Sequence, residues 1–410
     1  MPIKRLSIFQ KALFIFSLLI GICFWSSLKL DIYPWGTRWA YPLFIIYFFI
    51  ISTNKSNIWK SYTWEFAGVI KWTIFTIFLA FIPAYIDWGQ SIPQSIGMSL
   101  KWSWVLLLYF ILRKWNMDTS TVMKYIIILS IIWVILEIGQ QFTYPHYWFA
   151  GRSEGEAENI EQRMGMYRFY IWGVDFVMMA YAYSIGQFSN LQKRLSKKYL
   201  IIGTILFIGL LCYCSRKHIY VSLFAIGYFA LTTKNKYKNY IRIFTALIIL
   251  ILFYNFYDSF TEMSQAQTTY QGEGEDFIRF LALKYYLFDF SNSPLYFWLG
   301  AGIPADNSAL GQSLNYSTEV LRFYRADIGI FGYYSTFGIL GVSAILIYIW
   351  KFIKNWRYID LWLKMFFIMK LLLIVFDFWG MWNVGMMAYT IFLYITDLNI
   401  QKNKKQRTIV

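Results

Sequence analysis

The sequence predicts an all-α, polytopic integral membrane protein with about 12 transmembrane helices and both termini in the cytoplasm. Three observations predict this fold class. Of the 410 residues, 58% are hydrophobic and only 15% are charged, whereas soluble domains are roughly 25% charged. Apolar segments long enough to cross a bilayer as helices recur along the whole chain. Basic clusters also fall between them at every second connection.

The apolar segments define the predicted helices in order. They cover residues 12–29, 38–53, 66–86, 95–112, 121–142, 168–187, 199–214, 217–233, 240–257, 327–350, 358–377 and 380–396. The first segment is interpreted as a retained helix, because no small-residue cleavage site closes its apolar run. Residues 1–410 are therefore expected to form a single transmembrane domain within a lipid bilayer.

The connections between these helices alternate in charge. The basic ones, with the two termini, contain Lys4, Arg5, Lys55, Lys60, Arg113, Lys114, Lys193, Arg194, Lys197, Lys198, Lys234, Lys236, Lys238, Lys351, Lys354, Arg357, Lys402, Lys404, Lys405 and Arg407. The positive-inside rule assigns them to the cytoplasm. The net charge of +16 thus serves to orient helices, and we expect no nucleic-acid partner.

Two of the outward connections are long. Residues 143–167 form the first large extracytoplasmic loop and residues 258–326 form the second. Loops of such length are usually functional or disordered. The second loop contains "EDFIRFLALKYYLFDF", residues 275–290, whose apolar and aromatic side chains predict a helix lying in the membrane interface. The alternative is a strap that merely rests on the membrane.

The turn "CSRKH" between the seventh and eighth helices places Arg216 and Lys217 on the outer side. Only about 34 residues, 199–232, supply two crossings and the turn, which leaves roughly 24 Å for each helix at 1.5 Å per residue. The turn is therefore predicted to lie below the outer membrane surface. Cations at such depth are costly unless they face a wet cavity or meet an anion, and Arg216 has no acid near it in sequence.

Further outward basic residues flank helix ends or apolar stretches. They are Arg163, Arg168, Arg279, Arg322 and Arg325. A guanidinium binds phosphate through two parallel hydrogen bonds and stays charged in a low dielectric. This set therefore predicts a phosphorylated lipid as the ligand. The alternative is that the arginines form loop salt bridges with the acids at 154–161 and 273–276.

Carboxylates in the same region could accept a proton from a hydroxyl. The candidates are Asp327, Glu273, Glu275 and Asp276, and the sequence does not choose between them. The segment after Asp327 carries Gly329, Gly332, Gly338 and Gly341, a spacing that lets helices approach closely. No cysteine and histidine spacing resembles a zinc site, so no metal site and no cofactor are expected.

Four segments together resemble a known family. "GMYRFYIWGVDFVMMAYAY", "CSRKHIYVSLFAIGYFAL", "RFLALKYYLFDFSNSPLYFWLGAGI" and "RADIGIFGYYSTFGILG" occur in the order seen in bacterial O-antigen and capsular polysaccharide polymerases of the Wzy type. The resemblance implies a metal-independent, GT-C-like glycosyltransferase at the outer face of the bacterial inner membrane. Its substrate would be undecaprenyl-diphosphate-linked oligosaccharide, whose repeat units it joins. Chain-length regulator and flippase proteins are the candidate protein partners.

For such a reaction we assign roles to the residues singled out above. A sugar leaves a lipid diphosphate when a hydroxyl of a second glycan attacks its anomeric carbon, and pre-placed cations stabilise the departing charge. The predicted catalytic residues are Arg216, Arg279 and Asp327. The predicted substrate-binding residues are Arg163, Arg168, Lys217, Arg322, Arg325, Glu273, Glu275 and Asp276. His218 is interpreted as a helix-end residue.

Two other functions share these features. A flippase for lipid-linked oligosaccharide would suit the charges predicted to lie within spans, which are Lys71, Glu137, Asp175, Lys370 and Asp377. The alternative is that Lys370 has no role in transport and forms a structural pair with Asp175 or Asp377. An O-antigen ligase would share the arginines. The O-antigen ligases, however, typically carry a catalytic histidine in the large outward loop, where this chain has none. The length of the outward loop 258–326 favours the polymerase over the flippase, because a flippase has little need for such a large outer segment.

Overall fold

Helices dominate the structure, as the sequence predicts. The computed structural model describes residues 7–22, 33–52, 64–146, 162–163, 166–167, 169, 171–188, 196–233, 238–247, 249–250, 254, 277–378, 380 and 383–408. Strand structure in this part of the chain is a short hairpin, in which Gln162–Arg163 pairs with Met166–Tyr167. The all-α class is therefore confirmed for the residues described.

The α-helices are numbered here in chain order. They are α1 (Ile8–Gly21), α2 (Tyr33–Ser52), α3 (Ala67–Leu79), α4 (Phe81–Ile86), α5 (Ile92–Trp115), α6 (Thr119–Thr143), α7 (Val174–Phe188), α8 (Ser196–Cys212), α9 (Arg216–Thr232), α10 (Ile278–Lys284), α11 (Pro294–Leu299), α12 (Ala309–Glu319), α13 (Ile330–Lys354), α14 (Leu361–Leu373) and α15 (Asn383–Thr408). Residues 238–247 are also helical. A π-helical turn, Tyr285–Asp289, follows α10, and a 3₁₀ turn, Arg325–Ile328, precedes α13.

Within the residues that the structure describes, four helices are long and apolar enough to cross a membrane. They are α3 with α4 as one span, α5, α6 and α13, and each has 20 to 25 residues. At 1.5 Å per residue a helix of 20 residues extends about 30 Å, the thickness of a bilayer core. Length and composition thus suggest a membrane protein, while the count of 12 spans stays a prediction.

Helix α5 shows how the local sequence sets the ends of these elements. Ser91 caps its first turn, where the Ser91 hydroxyl accepts from the Gln94 N–H and the Gln94 amide oxygen accepts from the Ser91 N–H. This reciprocal pair satisfies two backbone donors that a helix start leaves free. The helix ends at Asn116, which has a left-handed backbone with φ of 50°. Asp118 then caps α6 through the Thr121 N–H.

Two predicted boundaries shift where the chain turns. The helix predicted over 358–377 ends at Leu373, because residues 374–376 form a turn. The helix predicted from residue 327 begins at Ile330, because the 3₁₀ turn before it closes at Gly329 with φ of 53°. Asp327 and Asp377 therefore lie in turns between helices. In contrast, the short pair predicted around "CSRKH" is confirmed, since α8 and α9 have 17 residues each.

The described part of the second long loop folds as a small helical cap with a core of its own. Side chains from α10, α11, α12 and the 3₁₀ turn form this core, among them Ala282, Tyr286, Tyr296, Leu310 and Ile328. Only residues 277–326 of the loop are described, so residues 258–276 lie outside this statement. Within this loop the sequence predicted one helix, over residues 275–290, and the structure has α10 and the π-helical turn in that stretch together with two further helices, α11 and α12.

Backbone contacts attach the cap to α13 at a break in that helix. Gly338 has φ of 61° and ψ of −166° inside α13. The Ala301 N–H donates to the Ser335 carbonyl at 2.9 Å, and the Gly302 N–H donates to the Thr336 carbonyl at 3.1 Å. These bonds satisfy carbonyls that an interrupted helix leaves without an intrahelical donor. The predicted close approach at the glycines is confirmed here.

The two ends of the bundle differ in what joins the helices. At one end, named the Glu65 end, Lys351 of α13 donates to the Glu65 carbonyl and Lys404 of α15 pairs with the Glu65 carboxylate at 2.8 Å. At the other, named the Lys217 end, the Ile330 N–H at the start of α13 donates to the Ile374 carbonyl at 2.8 Å. Helix α13, with 25 residues and the break at Gly338, runs from the Lys217 end to the Glu65 end.

Candidate functional site

The first group of candidate residues lies at the start of α9. Ser215 precedes this helix in an extended conformation, and Arg216 is its first residue. Lys217 Nζ lies 2.7 Å from Asp377 Oδ2, and these two side chains are 34% and 28% exposed. The first turn of a helix presents free N–H groups and a positive dipole end. The side chains of Arg216 and Lys217 therefore add positive charge at a helix start whose backbone already favours an anion.

His218 lies behind this ion pair. Its side chain is 2% exposed, and its Nε2 lies 3.7 Å from the same Asp377 oxygen. Its Nδ1 is 2.8 Å from Ser215 Oγ, and its ring packs edge-on against Tyr213 with centroids 5.5 Å apart. The prediction that His218 is a helix-end residue is consistent with this position, although its contact with Asp377 gives it an electrostatic role as well.

The second group surrounds Arg325 in the 3₁₀ turn. Its Nη1 donates to Thr336 Oγ1 at 3.0 Å, and the phenols of Tyr286 and Tyr296 lie in its electrostatic neighbourhood. Burial lowers the pKa of the Arg325 guanidinium, and the two tyrosines raise it. A guanidinium remains charged under such conditions, so Arg325 presents a fixed positive charge in a weakly hydrated position.

Other predicted residues collect around the same turn. Helix α10, which carries the half-buried Arg279, contacts the turn, and Asp327 is one of the turn's own residues. Arg322 precedes it with a left-handed backbone, φ of 58°, and is exposed. Tertiary structure therefore places the helix that carries Arg279 against the turn that contains Arg325 and Asp327, while their assignment to a common site stays a prediction.

One backbone segment, residues 374–378, joins the two groups. Ile374 accepts from the first N–H of α13, directly after the 3₁₀ turn of Arg325. Asp377 then pairs with Lys217 of α9. The next residue, Phe378, packs against Tyr333 in the first turns of α13, with ring centroids 4.9 Å apart. Both cationic groups thus lie at the Lys217 end of the bundle.

Several predicted residues fall outside what the structure describes. Arg168, Glu273, Glu275 and Asp276 are among these, so their roles stay predictions. Arg163 forms part of the short hairpin, where its backbone pairs with Met166, and its side chain is not described. Within the described ranges, no group of three or more histidine, cysteine, aspartate or glutamate side chains is arranged to hold a metal ion.

The structure adds residues that sequence reasoning did not place in a site. Asp377 is the main one, because the apolar pattern assigned it to a span and offered it as a partner of Lys370. Tyr286, Tyr296 and Thr336 around Arg325 were also missed. The signal for Asp377 was its position as an acid at the very end of an apolar segment. The signal did not indicate which cation it would meet.

The structure decides between the two pairings left open for Lys370. Its ammonium forms an ion pair with Asp175 of α7, and the two side chains are only 3% and 13% exposed. Asp377 instead pairs with Lys217. Two of the charges considered for a flippase are therefore each other's partners in the core between α7 and α14.

Comparison with protein-family models found no match for this chain, and comparison with curated protein sequences found none either. The fold and the site therefore define only a class of protein. It is a helical protein whose described part contains four helices long and apolar enough to cross a membrane, with cationic and acidic side chains gathered at one end of its bundle.

Proposed function

We propose that this chain is a polysaccharide polymerase, a metal-independent glycosyltransferase that joins oligosaccharide repeat units carried on undecaprenyl diphosphate into O-antigen or capsule. One observation carries the proposal. Cationic residues from distant parts of the chain, Lys217 and Arg325, flank a single backbone segment, 374–378, at one end of the bundle. A lipid diphosphate needs such a concentration of positive charge close to the membrane surface.

The proposal includes a membrane arrangement. The chain would cross the bacterial inner membrane about 12 times with both termini in the cytoplasm. The Glu65 end, with Lys351 and Lys404, would face the cytoplasm under the positive-inside rule. The Lys217 end would face outward, and the cap of α10 to α12 would cover it. This orientation places the cationic residues where exported lipid-linked glycans are found.

The chemistry follows from the charges. A hydroxyl of one glycan attacks the anomeric carbon of another, and the lipid diphosphate leaves with the bonding electrons. Negative charge accumulates on the leaving group, so donors fixed beforehand in a weakly hydrated site lower the barrier. Arg216 and Arg325 are the residues best placed to stabilise that charge, with Arg279 and Lys217 assisting. Arginine suits this role because its planar fork matches two phosphate oxygens.

The polymerisation reaction can be tested directly. Purified protein in detergent would be given lipid diphosphate-linked repeat units extracted from the host cell. We expect a ladder of longer glycans. Translocation of intact substrate across vesicles, without a ladder, would replace the polymerase with the flippase. Transfer to an acceptor without lipid diphosphate would indicate the ligase.

Arg216→Ala tests the site in the same assay. Loss of one pre-placed donor to a developing anion typically costs about 100- to 1,000-fold in rate, and we expect a loss of that size with unchanged expression. Arg357→Ala is the matched control, because Arg357 is exposed beyond the C-terminal end of α13, and it should elongate glycans normally. Full activity of Arg216→Ala would remove Arg216 from the site.

A further inference from the structure

Asp377 is the acid that the fold brings to the cationic start of α9. It follows the turn after α14, and its N–H donates to the Leu373 carbonyl at 2.7 Å. Its carboxylate receives Lys217 Nζ at 2.7 Å. Although 160 positions separate the two residues in the sequence, the contact of α14 with α9 brings them together. Asp377 was not among the carboxylates that the sequence predicted as proton acceptors.

The exposure of the side chains orders this cluster from outside to inside. Asp377 and Lys217 are 28% and 34% exposed, whereas the His218 side chain is 2% exposed. The carboxylate and the ammonium are therefore the outer groups of this cluster, and the imidazole is the inner one. Ser215 holds the inner nitrogen of His218 at 2.8 Å. The buried His218 ring, which Ser215 holds in place, therefore lies behind the more exposed Asp377 carboxylate.

When a lipid diphosphate binds, two anions compete for Lys217: the Asp377 carboxylate and the diphosphate. A compact ammonium with three rotatable donors can move from one anion to another more easily than a guanidinium held in a planar fork. A diphosphate carries more negative charge than one carboxylate, so it competes well for Lys217. When Lys217 moves to the phosphate, the Asp377 carboxylate loses the nearest of its positive neighbours, while Lys370 and His218 stay near it. A carboxylate with less positive charge around it binds a proton more readily.

We propose that Asp377 is the general base of the glycosyl transfer and that Lys217 restrains it until the lipid diphosphate binds. This inference rests on the proposed function. The acceptor hydroxyl oxygen forms its bond to the anomeric carbon while its proton passes to Asp377. The bond from that carbon to the diphosphate oxygen breaks, and the diphosphate leaves with the electron pair. Asp377 later returns the proton to water.

The arrangement links the two substrates in time. Before the donor binds, Lys217 occupies the carboxylate, so an acceptor glycan meets a weak base. After the donor binds, Lys217 contacts phosphate and Asp377 becomes available beside the reacting carbon. The alternative is that the pair of Lys217 and Asp377 only holds α9 against α14.

Asp377→Asn tests the base directly because it keeps the shape and removes the proton acceptor. Two quantities are measured: binding of undecaprenyl diphosphate to protein in lipid nanodiscs, and elongation of extracted lipid-linked glycan. We expect binding at least as tight as in the wild type, since Lys217 is freed. Elongation should fall by about 100- to 10,000-fold, the usual contribution of a general base.

Asp360→Asn is the matched control. Asp360 precedes the other end of α14 and is exposed, so both quantities should stay at the wild-type level. Near-normal elongation by Asp377→Asn would overturn the inference. Loss of binding together with elongation in that variant would also overturn it, in favour of a structural pair.

Lys217→Met is a second test, which remains informative even if Asp377→Asn folds poorly. In it the carboxylate is already released, so KM for the donor should rise while kcat changes less. A structural pair would lower kcat and expression together, and that outcome would contradict the inference. Absence of any ladder with the wild-type protein would instead remove the proposed function, which keeps the two failures distinct.

Discussion

At the scale of single residues, the ion pair of Lys370 and Asp175 is the costliest contact to disturb. Both side chains are removed from solvent, at 3% and 13% exposure, and the residues are 195 positions apart. Two charges taken from water offset their desolvation only through each other. Each residue alone would leave an uncompensated charge between α7 and α14.

We therefore expect Asp175→Asn to destabilise the protein strongly. Removing one partner of a buried pair typically costs about 3–5 kcal/mol, and the effect would appear as a lower midpoint of thermal unfolding in detergent. Asp306→Asn, at an exposed position of the cap, is the matched control and should unfold like the wild type. Equal midpoints for both variants would show that the pair contributes no stability.

The sequence reached only part of this result. An apolar segment that contains one lysine predicts that the lysine has a partner, because an unpaired charge there is costly. Asp175 and Asp377 were equally suitable on that argument. Which of them meets Lys370 depends on how α7, α9 and α14 pack together, and residues this far apart in sequence leave no local signal of their pairing.

At the scale of elements, α13 differs most from its predicted form. The apolar pattern over 327–350 predicts one continuous helix, and the structure has a helix that is broken at Gly338. A glycine inside an apolar run is compatible with close packing and with a bend. Here it does both, since a Cβ at Gly338 would lie 2.3 Å from backbone atoms of Trp298 in α11.

Gly338→Ala should consequently loosen the cap from α13. With φ of 61° and ψ of −166°, Gly338 has a backbone conformation that is essentially restricted to glycine. A residue with a Cβ there costs about 1–3 kcal/mol, and the contact with Trp298 adds to this. Gly227→Ala in α9 is the control, because a Cβ added at Gly227 would meet no heavy atom within 4 Å. This control should leave stability unchanged or raise it by up to about 1 kcal/mol.

The readout for this pair of variants is limited proteolysis of the cap together with the unfolding midpoint. Cleavage between residues 277 and 328 should accelerate in Gly338→Ala and stay at the wild-type rate in Gly227→Ala. If both variants were cleaved alike, the contact between α11 and the break in α13 would not be what holds the cap in place.

At the scale of the whole molecule, Asp397 joins three helices at the Glu65 end. It is fully buried, and it accepts from the backbone N–H groups of Glu65 at 2.8 Å and Phe66 at 3.0 Å and from the Tyr109 hydroxyl. These donors belong to α5 and to the turn that begins α3, while Asp397 belongs to α15. The contact therefore fixes how the first and last parts of the bundle meet.

We expect Asp397→Ala to separate these helices. It would leave three donors without their acceptor, and each unsatisfied buried donor costs about 1–3 kcal/mol. The variant should unfold at a lower temperature and expose the Glu65 end to protease. Asp87→Ala, at an exposed acid that follows α4, should behave like the wild type, and the same midpoint for both substitutions would contradict the role given to Asp397.

The sequence by itself determined the helical class, the short pair α8 and α9, and the concentration of arginines around residues 279–325. These features are local, because length, apolarity and capping act within a few turns of the chain. The sequence also predicted Arg216 and Lys217 in the turn between these two helices, but the turn is shorter, covering 213–215, and both residues belong to the first turn of α9.

Only the tertiary structure decided which charges meet. It paired Lys217 with Asp377 and Lys370 with Asp175, brought the turn of Arg325 against the 374–378 segment, and folded residues 277–326 into a cap on α13. The physical reason is that ion pairs and backbone contacts between helices depend on packing over the whole bundle. No stretch of sequence encodes them within its own length.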